Sequence, residues 1–243
     1  MTSKREMIAL QFIFDENDYH ENLKKLKSLI LESSEDAIIV APELCLTHFS
    51  FDKLQEAADF SKEAIKDILE ISSKRVISFT IIEEIDGKFY NSAKLIHNNK
   101  VVHSQPKVKL FKFGEEDKYY TSGKKEDIKI IEIDGLKFAM LICFEIRFKD
   151  LWIQIEGADI ILIPSLWGKL RKTHFEIITQ ALAVVNQAFV IAANSREKEM
   201  AQSSAIISPF GEAFRDDKSN FLSVHTDLKE IRKMRRYMDI GLT

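Results

Sequence analysis

Apolar and polar positions along the chain alternate between two periods. In "MIALQFIF" (7–14) apolar residues fill most positions, as in a strand buried on both faces, while "ENDYHENLKKLKSLILES" places Leu23, Leu26, Leu29 and Ile30 on one helical face. "DAIIVAPEL" is a second short apolar strand, broken at Pro42, and residues 53–72 return to helical spacing. The middle of the chain predicts strands: "RVISFTIIEE", then "DGKFYNSAKLIHNNKVVHSQ" with "DG" and "NN" as turns, then "IKIIEIDGLKFAMLIC" with "DG" at 134 and 135. These read as antiparallel hairpins. Beyond them lie a helix start near Phe148, the strand "ADIILIP" ended by Pro164, the helix "THFEIITQALAVVN" and the strand "AFVIAAN". Short strands in "SSAIISPFGEAFRDD" and "NFLSVHTDL" precede a basic helical tail.

No repeat, low-complexity segment or linker interrupts this order, so the expectation is one α/β domain over residues 1–243, with two sheet layers covered by helices. A chain of 243 residues can bury a substantial core without metal or disulfide staples. Its formal net charge of −3 gives no general pull toward nucleic acid or an anionic membrane, so the expected partner is a small molecule. No apolar run approaches the roughly 18 residues that span a bilayer, and the N-terminus lacks a small-residue cleavage pattern. Two cysteines are too few for a disulfide framework, which favours a reducing, cytoplasmic setting.

One of them, Cys143, closes the apolar run of "KFAMLICFEIRF". It is either a small apolar filler or a nucleophile, since functional groups in open α/β sheets gather beyond the carboxyl ends of strands. A free thiol with a pKa near ~8.5 is mostly protonated at neutral pH, so catalysis needs a base for its proton or a cation to favour the thiolate. Glu43 follows a strand and Pro42, at the sheet edge expected for Cys143; Lys107 follows Pro106 just beyond a third strand. Singly, each is an ordinary turn residue; together they form a candidate site. The histidines show no HxH or HExxH pairing, so no metal is expected, and with 8 glycines and no GxGxxG or GxxxxGK[ST] no nucleotide cofactor is expected.

The ordered series "APELCLTHF", "FYNSAKLI", "KVKLF", "LICFEIRF", "ALAVVNQAFVIAANS" and "SSAIISPFGEAF" resembles the nitrilase, or carbon-nitrogen hydrolase, superfamily from near residue 5 to near residue 230. The resemblance implies a four-layer αββα sandwich and a Glu43, Lys107, Cys143 triad. It also implies a second glutamate in "GEEDKYYTSG", which offers both Glu115 and Glu116; Glu116 is the one aligned with it. The sequence departs from the family pattern at Phe144-Glu145 after the thiol, at "PSLW" (164–167), and at Ala181 and Val185 in the later helix.

The chemistry so implied is cleavage of a non-peptide C–N bond of a small amide through a cysteine thioester. Glu43 serves as general base and then acid, with Lys107 and the Phe144 backbone N–H at the oxyanion. "CxxxRF" looks more like the amidase branches, including those acting on dicarboxylic acid monoamides, which makes Arg147 a candidate carboxylate clamp. Its alternative role is to tie Glu145 or a helix end. Trp167 is a candidate pocket wall. Cys45 belongs beneath the site, and a redox pair with Cys143 lacks the CxxC arrangement. The basic tail, with Lys229, Arg232, Lys233, Arg235 and Arg236, is expected to lie against a partner in a homodimer or larger homo-oligomer. The competing readings are a nitrilase, an N-carbamoyl-amine hydrolase, an acyltransferase, and a silent small-molecule-binding protein of the same fold.

Overall fold

The computed structural model describes residues 4–242. Its first half runs β1 (Lys4–Leu10), α1 (Tyr19–Leu31), β2 (Ile38–Val40), α2 (Leu54–Ser72), β3 (Val76–Ile85), β4 (Lys88–His97) and β5 (Lys100–Pro106). After a short helix α3 (Glu116–Tyr119) come β6 (Ile131–Ile133), β7 (Leu136–Met140), α4 (Lys149–Gln154), β8 (Ile160–Pro164), α5 (Lys172–Asn186) and β9 (Phe189–Ala193). The chain closes with β10 (Ala205–Ile207), β11 (Ala213–Phe214), β12 (Phe221–Asp227) and α6 (Lys229–Tyr237).

Two six-stranded sheets result, in the orders β12-β1-β2-β3-β4-β5 and β11-β10-β9-β8-β7-β6. The centre of each sheet is parallel, β1-β2-β3 in one and β7-β8-β9 in the other, and antiparallel strands extend each outward, among them β12, which returns from the far end of the chain to pair with β1. Side-chain alternation along the strands separates the layers. Met7, Ala9, Ile38 and Val40 share a buried cluster with Met140, Ile161 and Ile191 of the second sheet. Their neighbours Ile8, Leu10, Ile39 and Ile77 face the other way and pack with Leu26 and Ile30 of α1 and Ala64 and Ile68 of α2. Leu151 of α4 and Phe175 and Leu182 of α5 are fully buried and join the second sheet's cluster. This is the expected αββα sandwich.

Two expectations shift in detail. The strand in "MIALQFIF" ends at Leu10, because Gln11 donates its backbone N–H to Asn220 O (3.0 Å) and its side-chain amide to Ser219 O (2.5 Å). The basic tail forms α6, but part of it is held by its own chain: Ile231 and Met234 are buried, and Arg235 pairs with Asp159 at 2.9 Å. Lys229, Arg232, Lys233 and Arg236 remain exposed. Among the described residues no helix is long and apolar enough to cross a membrane.

Candidate active site

The site is assembled from turns that follow strands in both sheets. Glu43 sits three residues after β2, where its N–H donates to Ser165 O beyond β8 at 3.2 Å. The next residue, Leu44, takes a left-handed φ of 48° and donates its N–H to Thr80 Oγ1 at 2.7 Å, which fixes the turn. Lys107 leaves β5 with its N–H on Asn91 O (2.8 Å) and its carbonyl accepting from Gly123 N–H (2.8 Å). That contact requires glycine, since a Cβ at position 123 would lie 2.3 Å from Pro106 O. Cys143 is not the last residue of its strand. It stands three residues past β7, at a left-handed φ of 49°, as the first residue of a tight 3-10 turn, Cys143–Arg147. Glu43 and Cys143 therefore lie on facing sheets rather than one sheet edge, because the apolar faces of both sheets must stack and this brings their strand ends together.

Lys107 Nζ donates to Glu43 Oε1 and to Glu116 Oε1, each at 2.7 Å, and all three side chains are almost wholly removed from solvent. Asn91 Nδ2 donates to Glu43 Oε1 at 2.8 Å and Leu166 N–H to Glu43 Oε2 at 3.2 Å. The second oxygen of Glu116 accepts from Phe111 N–H at 3.0 Å. Glu115 is exposed and pairs with Lys118 at 2.5 Å, so Glu116 is the carboxylate that joins the group.

Burial pushes the Cys143 thiol well above its ordinary pKa. The charge of Glu43 adds to the shift, Lys107 opposes it, and Glu116 and a hydrogen bond with Glu43 add to it again. At rest Cys143 is a neutral thiol beside a carboxylate. Burial alone would lower the Lys107 pKa, but Glu43 and Glu116 outweigh it and raise it, so the ammonium is permanent. Glu116 is raised, by burial first and by the charge of Glu43, against Lys107. A buried cation between two carboxylates is costly as a purely structural device, because each charge loses its hydration.

A cavity of about 190 Å³ opens on this group, lined by Cys143, Glu116, Phe144, Phe111, Trp167 and Arg171, with Phe49, Gly114 and Leu166. Among the described residues the Phe144 backbone N–H has no acceptor. Trp167 is where the sequence reading places it, in the wall, its indole N–H donating to Arg171 O at 3.0 Å. Arg147 is not in the lining: its Nη2 bonds His174 Nδ1 at 2.9 Å and its guanidinium lies 5.1 Å from the Trp167 ring centroid. Nor does it tie Glu145, which instead accepts from backbone N–H groups. Cys45 is fully buried among Ile39, Ala41 and Leu46, and burial pushes its thiol pKa far up. No group of three or more His, Cys, Asp or Glu is disposed to hold a metal among the described residues.

Sequence reasoning missed four contributors. Asn91 stood in "FYNSA", quoted only as a flank. Glu145 stood in the departure from the usual motif. Phe111 stood at the end of "KVKLF", quoted for its lysine alone. Arg171 carries no periodic or motif signal and is brought in only by loop packing.

The carbon-nitrogen hydrolase family profile matches residues 11–236. A 2-oxoglutaramate amidase of Bacillus subtilis is 27% identical, with 96% of this chain and 94% of the relative aligned. Among solved structures, a CN-hydrolase superfamily protein of Xanthomonas campestris with an arsenic adduct in its active site superposes with a TM-score of 0.85 at 16% identity, covering 97% of this chain and 95% of that one. An amidase of Nesterenkonia sp. superposes at 0.83 and 18% identity, covering 96% of each chain. At these identities the structural likeness is one of fold.

Proposed function

The chain belongs to the carbon-nitrogen hydrolase family, and from that premise we propose that it is a cofactor-independent amidase. It hydrolyses the C–N bond of a small amide, dicarboxylic acid monoamides included, releasing ammonia and a carboxylic acid. The observation that carries this is the buried ammonium of Lys107, 2.7 Å from Glu43 and from Glu116, beside a thiol that lines a small cavity. At about 190 Å³ the cavity is smaller than the ~300 Å³ where pockets for drug-sized ligands begin, which suits a small substrate.

Glu43 takes the Cys143 proton as Sγ attacks the amide carbonyl, since the thiol is protonated at rest. Lys107 and the Phe144 N–H stabilise the oxyanion; removing one such donor typically costs about 10²–10³ in rate. As the tetrahedral adduct collapses, Glu43 passes its proton to the departing amine and a thioester remains. Glu43 then takes a proton from water, oriented with Glu116, and the attack releases the acid and returns the thiol. The relative that acts on 2-oxoglutaramate supports a monoamide substrate.

Intact-protein mass spectrometry of wild type and Cys143→Ala with amides, carbamoyl compounds and nitriles, with ammonia followed in parallel, tests the reading. The expected result is an acyl adduct on wild type alone with ammonia released from an amide. Carbon dioxide appearing with the ammonia favours carbamoyl hydrolysis, and silence with an unreactive thiol favours the binding-protein alternative.

The same reading includes one domain over the whole chain, a reducing cytoplasmic setting, which two free buried cysteines suit, and a homo-oligomer. The outward face of α5 supports the last: Ile177, Val184 and Val185 are exposed there, and Phe210 and Phe214 add apolar surface. Light scattering should show a mass above that of one chain, reduced by Val185→Lys; a concentration-independent monomer refutes it.

A further inference from the structure

We propose that Arg171, not Arg147, is the recognition residue for a carboxylate carried by the substrate, so that the site prefers monoamides of small dicarboxylic acids to neutral amides. This rests on the amidase reading above and assigns its specificity.

The cavity's lining holds two charged side chains, Glu116 and Arg171, among aromatic and apolar walls. Glu116 has its partners in Lys107 and the Phe111 N–H. The Arg171 guanidinium has no hydrogen bond or ion pair with any described residue, although it is half-buried. An unpaired guanidinium in an apolar wall leaves donors unsatisfied whenever a ligand displaces water, and a carboxylate is the ligand group whose geometry matches its fork.

The group is also held in place. Its Cζ lies 4.9 Å from the Phe111 ring centroid, and the Phe111 N–H is bonded to Glu116, so the cation–π contact is registered to that carboxylate. Its backbone carbonyl accepts from the Trp167 indole. Gly168 leaves the space it uses, since a Cβ there would stand 3.0 Å from an Arg171 Nη. Arg147, by contrast, is absent from the lining and is committed to His174 and to the Trp167 ring. Charge also sets direction: Glu116 repels a substrate carboxylate and Arg171 attracts it. A monoamide therefore enters with its neutral amide toward Cys143 and its carboxylate on Arg171.

The test is the ratio of kcat/KM for glutaric acid monoamide to that for pentanamide, its neutral counterpart, in wild type, Arg171→Gln, Arg171→Lys and Arg147→Gln. Wild type should favour the monoamide, and Arg171→Gln should reduce the ratio by about 10- to 150-fold, mainly through KM, as expected for losing a charged hydrogen-bonding partner. Arg171→Lys should fall between, keeping the charge without the fork. Thermal shift adds a readout free of turnover: glutarate should stabilise Cys143→Ala but not Cys143→Ala with Arg171→Gln. An unchanged ratio in Arg171→Gln, or an equal loss in Arg147→Gln, overturns the assignment. So does wild-type turnover of pentanamide without preference for the monoamide, which leaves the amidase reading standing. No turnover of either, with no adduct on Cys143, overturns both.

Discussion

Glu145 accepts a hydrogen bond from the Val108 N–H at 2.5 Å, across 37 residues of chain. Its other oxygen accepts from Ile142 N–H at 2.7 Å, so one fully buried carboxylate ties the loop carrying Lys107 to the turn carrying Cys143. The residue that departs from the family pattern thus sets the spacing between the segments carrying Lys107 and Cys143.

A glutamine at 145 keeps one acceptor oxygen and turns an NH₂ toward a backbone N–H that already donates. Glu145→Gln should lower the unfolding free energy by about 1–3 kcal/mol, the cost of one unsatisfied buried donor. Urea unfolding measures that, and kcat on the same preparation should fall with it.

The same carboxylate gives a pH signature. Burial raises its pKa from 4.5 to about 7, against the backbone N–H bonds and Lys107, which lower it. Between those values the folded protein keeps a proton that the unfolded chain has released. This group therefore makes stability fall as pH rises through the interval. Glu145→Gln lacks the titration, so its deficit against wild type should shrink from about pH 5 to about pH 8. A deficit that grows over that range refutes the assignment.

Lys107→Met leaves Glu43 and Glu116 facing each other without their cation. Removing one partner of a buried ion pair typically costs about 3–5 kcal/mol, so the variant should be strongly destabilised as well as inactive. Chemical denaturation and ammonia release check the two effects separately.

Glu43→Gln should abolish amide hydrolysis yet make the thiol more acidic. The Glu43 charge is the second cause, after burial, of the raised Cys143 pKa, and its removal favours the thiolate. Titrating thiolate ultraviolet absorbance in the variant should give a midpoint below that of wild type; an unchanged or higher midpoint means that the two groups do not interact.

Glu116→Gln should slow turnover by about 10²-fold, at the lower end of what a placed acid or base contributes. Glu115→Gln, altering an exposed carboxylate paired with Lys118, should leave kcat near wild type. Equal effects from both would assign the loop, rather than Glu116, the role.

Much of this was readable from the chain alone. The alternation of strand and helix periods determined the layers, because a two-residue period and a 3.6-residue period each bury one defined face. The order of motifs marked Glu43, Lys107 and Cys143 as candidates and offered both Glu115 and Glu116 as the second glutamate; burial and the contact with Lys107 separate those two. The sequence could not show that Glu43 and Cys143 come from facing sheets, since strand order is set by which apolar faces stack. It pointed to Arg147 and gave no signal for Arg171, the arginine that lines the cavity; the two lie on either side of β8, and loop packing decides where their guanidinium groups go. Nor did it show why a glutamate is tolerated at 145. Local pattern encodes which face of an element is buried, whereas the partners of a buried charge are decided by contacts between distant segments, such as the 37 residues between Val108 and Glu145.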